Sequence, residues 1–395
     1  MTETIEIKNF SGGNGFGMGF VDKKPVLVPG TVPGDVCSIE ITGKGKFWTG
    51  RVIEFVKKSD KRTANVCPFY LSPDAPKREF CGGCPMMGVS METELEAKLE
   101  MICRAFRQHK PSPVLPRMVE ECGPQTKYRN RLRGVISGGK TFLRQGLSDR
   151  LAIVDFCPVC AVPEDLRLVT SLGCDGEFTI EWTHRNEIAI RTKEKITRIP
   201  ETEDRIISLI SGKKLIYGTE DIDIFDGKPF YKAPGEFAQA GLSANKAIIG
   251  AVMDFLNMVY HSGEILELYA GSGNITRYLE DVAVVHAVET SDVAKQFYKN
   301  VKRSKFYGKS ASFFPDIEGI SVVVSDPPRE GMDKVVTEKL ISLAPGAIIL
   351  ISCDPMTGAR DISRLIQGGY EHRAIRAINT MPMTAHFEMI SLLTR

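Results

Sequence analysis

Apolar positions alternate with short polar and glycine-rich breaks over residues 1–58. The runs SGGNGFGMGFVDKKPVLVPGTVPGDVCSIEI and FWTGRVIEFV contain strand-length apolar segments separated by Gly and Pro turns. Several short strands punctuated this way predict a small β-barrel of the oligonucleotide-binding type. A different pattern begins at Met91, where Glu, Leu, Lys and Ala dominate as far as about His109. These are good helix formers, and Pro111, Pro113 and Pro116 end the helix. Residues 127–232 alternate short strands (LRGVI, TFLRQ, EIAIRT, KLIYG) with one helical stretch near 163–172, which predicts an α+β middle region. From about 235 the chain alternates longer elements. Ala244–Val259 reads as a helix, EILELYA as a strand, and Gly-Ser-Gly as a turn into another helix. AVVHAVE, SVVVSDPP, AIILISC and EMISLLTR supply further apolar strands. That alternation predicts a doubly wound, mostly parallel sheet.

The 395 residues are 43% hydrophobic and 25% charged, with a formal net charge of +2. That is ordinary globular usage, so disorder, collagen-like repeats and coiled coil are excluded as descriptions of the whole. At roughly 100–200 residues per domain, two to three domains are expected. No stretch approaches the roughly 20 apolar residues of a membrane span. The opening MTETIEIKNF lacks the pattern of a secretory signal, so a cytoplasmic, membrane-free protein is expected. Charge is uneven, however. Lys98–Arg150 carries twelve Lys/Arg against four Asp/Glu, which reads either as a solvated face or as a surface for phosphates. Lys44, Lys46, Phe47 and Trp48 mix cations with aromatic rings, a combination suited to single-stranded nucleic acid. Simple barrel filling is the commoner role of such rings.

Ten cysteines are too sparse in a chain this long for a disulfide scaffold. Their clustering points to metal instead. Cys67, Cys81 and Cys84 form a C-x13-CGGC set, and Cys157 and Cys160 add CPVC. Four thiolates can hold Zn²⁺ or an iron–sulfur cluster.

Four motifs fall where the strands of the C-terminal sheet are expected to end, which is where ligands bind in such sheets. The first is Glu267-Leu-Tyr-Ala-Gly271-Ser-Gly273-Asn274, followed about twenty residues later by Glu289, a natural partner for ribose hydroxyls. A dinucleotide fingerprint would have a third glycine at 276, where this chain has Thr276; that favours a nucleoside ligand without a pyrophosphate, such as S-adenosylmethionine. The second is SDPPREG, with Asp326 aimed at the site. The third is LISCDP, with Cys353 on the rim. The fourth is His386-Phe387-Glu388 before the last strand.

Together these residues resemble the bacterial RNA (uracil-C5)-methyltransferases, in particular the branch acting on 23S ribosomal RNA with an N-terminal TRAM barrel and a 4Fe–4S cluster. The resemblance covers nearly the whole chain and implies three parts: a TRAM/OB-like barrel over 1–58, a central α+β iron–sulfur, RNA-binding domain over 59–232, and a Rossmann-like α/β S-adenosylmethionine-dependent methyltransferase domain over 233–395. The helix within 88–112 would be free to pack on the last of these. VPGTVPGD resembles the TRAM segment. Cys67, Cys81, Cys84 and Cys157 match the cluster ligands, and Cys160 falls outside that pattern. LELYAGSGN matches the cofactor strand and turn, which implies cofactor contacts from Tyr269, Gly271 and Gly273. Glu289 matches the ribose contact, Phe237-Ala-Gln239 the cofactor-binding Phe-x-Gln, and SDPPREG the Asp-Pro-Pro-Arg loop, which gives Asp326 a role toward both base and cofactor. SCDP matches Ser-Cys-Asn-Pro, which makes Cys353 the nucleophile, and HFE matches His-x-Glu, which makes Glu388 the base. Ala240-Gly241 and Asp354 stand where the family has asparagines, and its Asn-Ala-x-x-Asn signature is absent between Glu289 and Asp326.

The implied chemistry is coherent. Uracil C5 is a poor nucleophile, and attack of the Cys353 thiolate on C6 would make it an electron-rich enolate carbon. After C5 accepts the methyl group, Glu388 would remove the C5 proton and elimination would free the thiolate. The target base must leave its stack to be reached. The expected partner is therefore RNA, 23S ribosomal RNA ahead of transfer RNA, and the protein is expected to act as a monomer. Two readings of other classes compete: a noncatalytic RNA-binding protein on a methyltransferase scaffold, and a redox protein using the cysteine centre. Retention of Cys353, Glu388 and Asp326 argues against the first, and the lack of a flavin or dinucleotide motif argues against the second.

Overall fold

In the N-terminal segment, the glycine-punctuated strands form one six-stranded sheet. They are β1 (Thr2–Glu6), β2 (Asn9–Phe10), β3 (Gly17–Val21), β4 (Lys24–Val28), β5 (Val36–Lys44) and β6 (Trp48–Lys57), in the order β1-β5-β6-β4-β3-β2. All neighbours pair antiparallel except β4 and β6, which run parallel. Inward positions gather Ile5, Ile7, Val26, Val28, Cys37 and Ile39 into one apolar cluster. Trp48 packs at its edge, with Lys24 Nζ 4.9 Å from the ring centroid. Phe47 does not fill the interior but is 48% exposed. Lys46 lies outside the residues that this computed structural model describes, which are 2–45, 47–71, 80–199, 204–296, 298, 301–314 and 316–395.

The predicted helix is α1 (Met91–His109), followed by the short strand β7 (Val119–Glu121). The middle region holds β8 (Arg131–Ser137), β9 (Lys140–Arg144), β10 (Leu151–Ile153), α2 (Leu166–Thr170), β11 (Gly176–Trp182), β12 (Ile188–Thr192), β13 (Ile206–Ser211) and β14 (Lys214–Gly218). Its seven strands form a sheet of order β10-β9-β8-β11-β12-β13-β14. Ile180, Trp182, Ile188 and Leu209 are wholly buried in it. The small strands β15 (Ile222–Asp223) and β16 (Tyr231–Lys232) pair with each other.

The remaining elements are α3 (Leu242–Val259), β17 (Glu264–Leu268), α4 (Thr276–Leu279), β18 (Val285–Glu289), α5 (Asp292–Lys295), β19 (Ser304–Gly308), β20 (Ile320–Ser325), α6 (Lys334–Leu343), β21 (Ala347–Ser352), α7 (Pro355–Gln367), β22 (Glu371–Asn379) and β23 (Glu388–Thr394). They build an eight-stranded sheet of order β19-β18-β17-β20-β21-β23-β22-β7. The strands from β19 to β21 are parallel, and β23 inserts antiparallel between β21 and β22. Strand order reverses between β17 and β20, the switch point at which α/β sheets open a crevice. Every residue of β21 is buried, as expected of a central strand covered on both faces.

Three details depart from the sequence reading. The helix expected after Gly-Ser-Gly is only the four-residue α4, so turns, not a helix N-terminus, follow β17. β22 carries three charged residues among nine and escaped the apolar-run criterion. β7 is three residues of Val-Glu-Glu, too short for any period to register, yet it extends the sheet beside β22.

Contacts divide the chain into two units that interleave in sequence. One comprises Met1–Lys98, Pro124–Thr219 and Met381–Ala385; the other comprises Leu99–Gly123, Glu220–Thr380 and His386–Arg395.

Candidate active site and cysteine cavity

β17 ends at Leu268 and the chain turns sharply. Tyr269, Gly271 and Gly273 all have positive φ, at 62°, 54° and 86°. For a tyrosine this is a strained conformation, and it is held from two sides: Ala270 N–H donates to Val288 O (3.1 Å) and Asp326 N–H to Leu268 O (3.3 Å). The place where a Cβ would stand on Gly271 is open space, with no atom within 4 Å. Gly271 N–H donates to Glu289 Oε2 at 3.0 Å, while Glu289 Oε1 accepts the amides of Thr290 (2.6 Å) and Ser291 (2.9 Å). The carboxylate is thus fixed at the carboxyl edge of β18, beside the glycine turn.

Thr276, at the position a dinucleotide site would give to glycine, has a different task. Its hydroxyl donates to Glu267 Oε2 (2.6 Å) and lies 3.0 Å from Tyr298 Oη. Glu267 is an acid inside an otherwise apolar strand. Burial, and to a lesser degree the charges of Asp326 and Glu289, push its carboxyl up to about 8. Sequence reading named Glu267 and Thr276 only as motif positions and did not single out Tyr298, although a glutamate within EILEL was a legible signal. Gln239 is nine-tenths buried in the turn before α3, while Phe237 is 72% exposed. The first turn of α3 is joined to the glycine turn by a reciprocal amide pair, Asn245 Nδ2 to Asn274 Oδ1 (3.2 Å) and Asn274 Nδ2 to Asn245 Oδ1 (2.5 Å).

The other three motifs converge at the same edge. Asp326 follows the last residue of β20, and Cys353 follows the last residue of β21. Ser352 pairs with Met389 across the antiparallel β21–β23 ladder, so the next step of that register sets Cys353 opposite Glu388. Electrostatics agree with the register. Burial, then the charges of Glu388 and Asp326, push the Cys353 thiol up to about 12, against a smaller opposing pull from Arg329. Burial and then Asp326 hold Glu388 well above the usual carboxylate range. Asp326 is partly exposed as a residue, but desolvation of its carboxyl pushes it up to about 7. Glu388 Oε2 is buried without a hydrogen-bond partner, which is costly in a folded core and characteristic of functional positions.

Asp354, where the resembled family has asparagine, caps α7. Its Oδ1 accepts the amides of Met356 (2.9 Å) and Thr357 (3.2 Å), and Pro355 occupies the first helical position. Asp and Asn cap about equally well, so the exchange leaves the nucleophile's support in place.

In the middle region, Cys67, Cys81, Cys84 and Cys157 line one cavity whose remaining walls are apolar or aromatic, Tyr70 and Phe156 among them. Gly82 lies against the backbone of Gly146, where any Cβ would clash, and Gly83 N–H donates to Cys81 Sγ at 3.4 Å. Burial pushes the Cys81 thiol up to about 11. The Cys157 thiol is lowered to about 7, first by a hydrogen bond with Cys160, which is itself wholly buried. Among the described residues no three His, Cys, Asp or Glu side chains are drawn together tightly enough to grip a single metal ion.

A family model described as tRNA (Uracil-5-)-methyltransferase matches residues 315–395, the stretch that contains Asp326, Cys353 and Glu388. A 23S rRNA (uracil(1939)-C(5))-methyltransferase of Aliivibrio fischeri is 25% identical, over 97% of this chain and 94% of that protein. An uncharacterized RNA methyltransferase of Halalkalibacterium halodurans is also 25% identical, over 96% and 94%. Among solved structures, the Pyrococcus abyssi tRNA (uracil-54, C5)-methyltransferase with S-adenosyl-L-homocysteine shares the fold at a TM-score of 0.77 and 21% identity, over 99% of both chains. The strand ends, the thiol and the two carboxyls described above thus belong to a chain that is similar along nearly its whole length to RNA (uracil-C5)-methyltransferases and shares the fold of one of them.

Proposed function

We propose that this chain methylates C5 of a uridine in RNA, with S-adenosylmethionine as methyl donor and 23S ribosomal RNA as substrate. The observation that carries this reading is the convergence of Cys353, Glu388 and Asp326 on adjoining strand ends, where the charges of Glu388 and Asp326 bear on the Cys353 thiol and that of Asp326 on Glu388. A pure RNA binder needs neither a buried nucleophile nor an unpartnered carboxyl beside it.

Each residue then has a defined task. Cys353 adds to C6 of the pyrimidine, giving an enolate with a nucleophilic C5. Glu388 takes the C5 proton, and its preference for the protonated form makes it a strong acceptor once ionised. Asp326 hydrogen-bonds the base. When bound, S-adenosylmethionine supplies an electrophilic methyl group. The residues that would hold it are Gln239, Tyr269, Gly271, Gly273, Glu289 and Asp326, with Glu289 directed at ribose hydroxyls. The open face of Gly271 and the fixed Glu289 carboxylate fit such a nucleoside.

We read the cysteine cavity as the seat of a 4Fe–4S cluster held by Cys67, Cys81, Cys84 and Cys157. What supports this reading is that the four thiols line one cavity whose other walls are apolar or aromatic, a donor set that suits an iron–sulfur cluster or Zn²⁺. Nothing in the reaction moves electrons, so its role is structural. The same reading gives residues 1–58 to a TRAM barrel, 59–232 to an iron–sulfur RNA-binding region and 233–395 to methyl transfer, in a monomeric cytoplasmic enzyme. Among the described residues no helix is long and apolar enough to cross a membrane.

The test is to map 5-methyluridine in ribosomal and transfer RNA from a strain lacking this protein, beside its parent. Loss at a 23S position supports the proposal. Loss confined to transfer RNA moves the substrate, and no loss anywhere, with RNA binding intact, favours the noncatalytic reading.

A further inference from the structure

Residues Met381–Ala385 connect β22 to β23, and the base of the proposed mechanism lies three residues beyond them. This loop has no regular structure, yet Met383, Thr384 and Ala385 are buried. A buried loop must find partners for its backbone polar groups, and here they come from several directions. Glu94 and Lys98, one turn apart on α1, form an ion pair of 2.7 Å that is essentially inaccessible to solvent, at 1% and 0% side-chain exposure. Glu94 Oε1 takes Lys98, while Oε2 accepts the amide of Met383 at 2.8 Å. Lys98 Nζ donates to Met381 O (3.3 Å), Tyr128 Oη to Pro382 O (3.1 Å) and Met86 N–H to Met383 O (3.0 Å). Met383 is held at φ 65°, a conformation that a long side chain adopts only when its surroundings enforce it.

Burying two opposite charges is an expensive way to gain stability, since well-packed apolar residues often do as well or better. What the pair provides that apolar residues would not is direction, because an amide and a carbonyl of one loop are each bound by a charge of fixed position. We propose that Glu94 and Lys98 are positioning residues: by locking Met381–Ala385 they fix how the chain enters β23, and hence the orientation of the Glu388 carboxyl. This rests on Glu388 being the base, and it adds a remote ion pair to that reading.

The test separates addition from proton removal. Uracil with fluorine at C5 accepts the thiol and the methyl group but cannot complete the reaction, because fluorine does not leave as a cation. Capture of a 5-fluorouridine-substituted 23S transcript therefore reports Cys353 and the cofactor site without the base. Turnover on the ordinary transcript requires the base. Three full-length variants are compared with the parent: Glu94→Ala, the neutral pair Glu94→Gln with Lys98→Met, and Tyr128→Phe as the mildest. Glu388→Gln serves as reference.

The expected result is turnover lowered by about tenfold or more, protein–RNA adduct accumulating on denaturing gels with ordinary RNA, and capture of the fluorinated transcript within about threefold of the parent. Tyr128→Phe should show the same signature more weakly. Equal losses of capture and turnover in the folded variants would make the pair merely structural and overturn the inference, as would unchanged turnover in all three. If Glu388→Gln itself turns over normally, the base assignment is wrong and the inference falls with it. If Glu388→Gln traps adduct and the others do not, the inference alone fails.

Discussion

Glu267→Gln isolates one buried carboxyl from the rest of the glycine turn and its surroundings. Glu267 is 3% exposed, and burial is the main cause that moves its carboxyl from 4.5 to about 8. One pH unit of displacement corresponds to about 1.4 kcal/mol, so the folded state favours the neutral acid over the carboxylate by roughly 5 kcal/mol relative to the unfolded chain. The sign follows from proton counting. Between about pH 4.5 and 8 the native state holds a proton that the unfolded chain has released, so stability falls as pH rises through that window and levels off above it. Glutamine is neutral at every pH and keeps a carbonyl for the Thr276 hydroxyl. The variant should therefore match the parent near pH 4.5 and gain on it steadily, by about 3 kcal/mol at pH 7. Urea unfolding of both proteins at several pH values measures this, because contributions common to the two cancel in the difference. A difference that does not vary with pH would refute the reasoning, since it would mean that Glu267 ionises in the folded protein as it does in the unfolded chain.

Cys353→Ala should abolish methylation while leaving RNA affinity within a few-fold, read by methyl incorporation and by filter binding; normal turnover would remove the covalent mechanism. With the Cys353 thiol pushed up to about 12, addition should keep accelerating as pH rises past the ordinary thiol value of 9.0. A plateau near that value in the pH profile of capture would show a thiol with an ordinary pKa. Asp354→Asn should leave stability unchanged, and Asp354→Ala should cost about 1 kcal/mol through the lost α7 cap, measured by thermal melting. Cys81→Ser should remove the brown colour of an anaerobic preparation and destabilise the middle region; a colourless parent protein that carries zinc would exclude the iron–sulfur reading.

The parts of the sheet that were legible were those whose physics is local. SVVVS and AIILIS are mostly buried and read as short apolar runs, and EILEL does so apart from its glutamates. Asp354-Pro355 is a cap and a first helical residue, a local signal of α7 that the sequence reading left unused. What could not be read depended on partners distant in sequence. β7 exists because β22 offers Ala377–Asn379 as a template. β22 alternates charge with apolar residues because Arg376 is paired with Glu120 and Asp254, which no window around it contains. Nothing in the local sequence sets Glu94 and Lys98 apart from the other charges of α1, and only burial against residues almost three hundred positions away distinguishes them. Among the site residues, position at a strand end identified Asp326, Cys353 and Glu289, whereas the tie between Glu267, Thr276 and Tyr298 required coordinates.

The antiparallel strand explains how Cys353 and Glu388, the proposed nucleophile and base, come to share one level of the sheet. Every parallel strand from β19 to β21 finishes at the carboxyl edge, so each can offer only a residue just past its end. β23 runs the other way and begins at that edge. Its first residue, Glu388, is therefore set by ladder register opposite the residue that follows β21, Cys353. Register in a sheet buried on both faces is strongly specified, because a one-residue slip would turn every side chain over. The smallest slip that keeps the faces is two residues, about 7 Å along the strand, and it would carry the carboxyl out of reach of a proton on a base bound to Cys353. The distance between Cys353 and Glu388 is thus fixed by the backbone ladder of β21 and β23, and the loop that feeds β23 is left to set the carboxyl's final orientation.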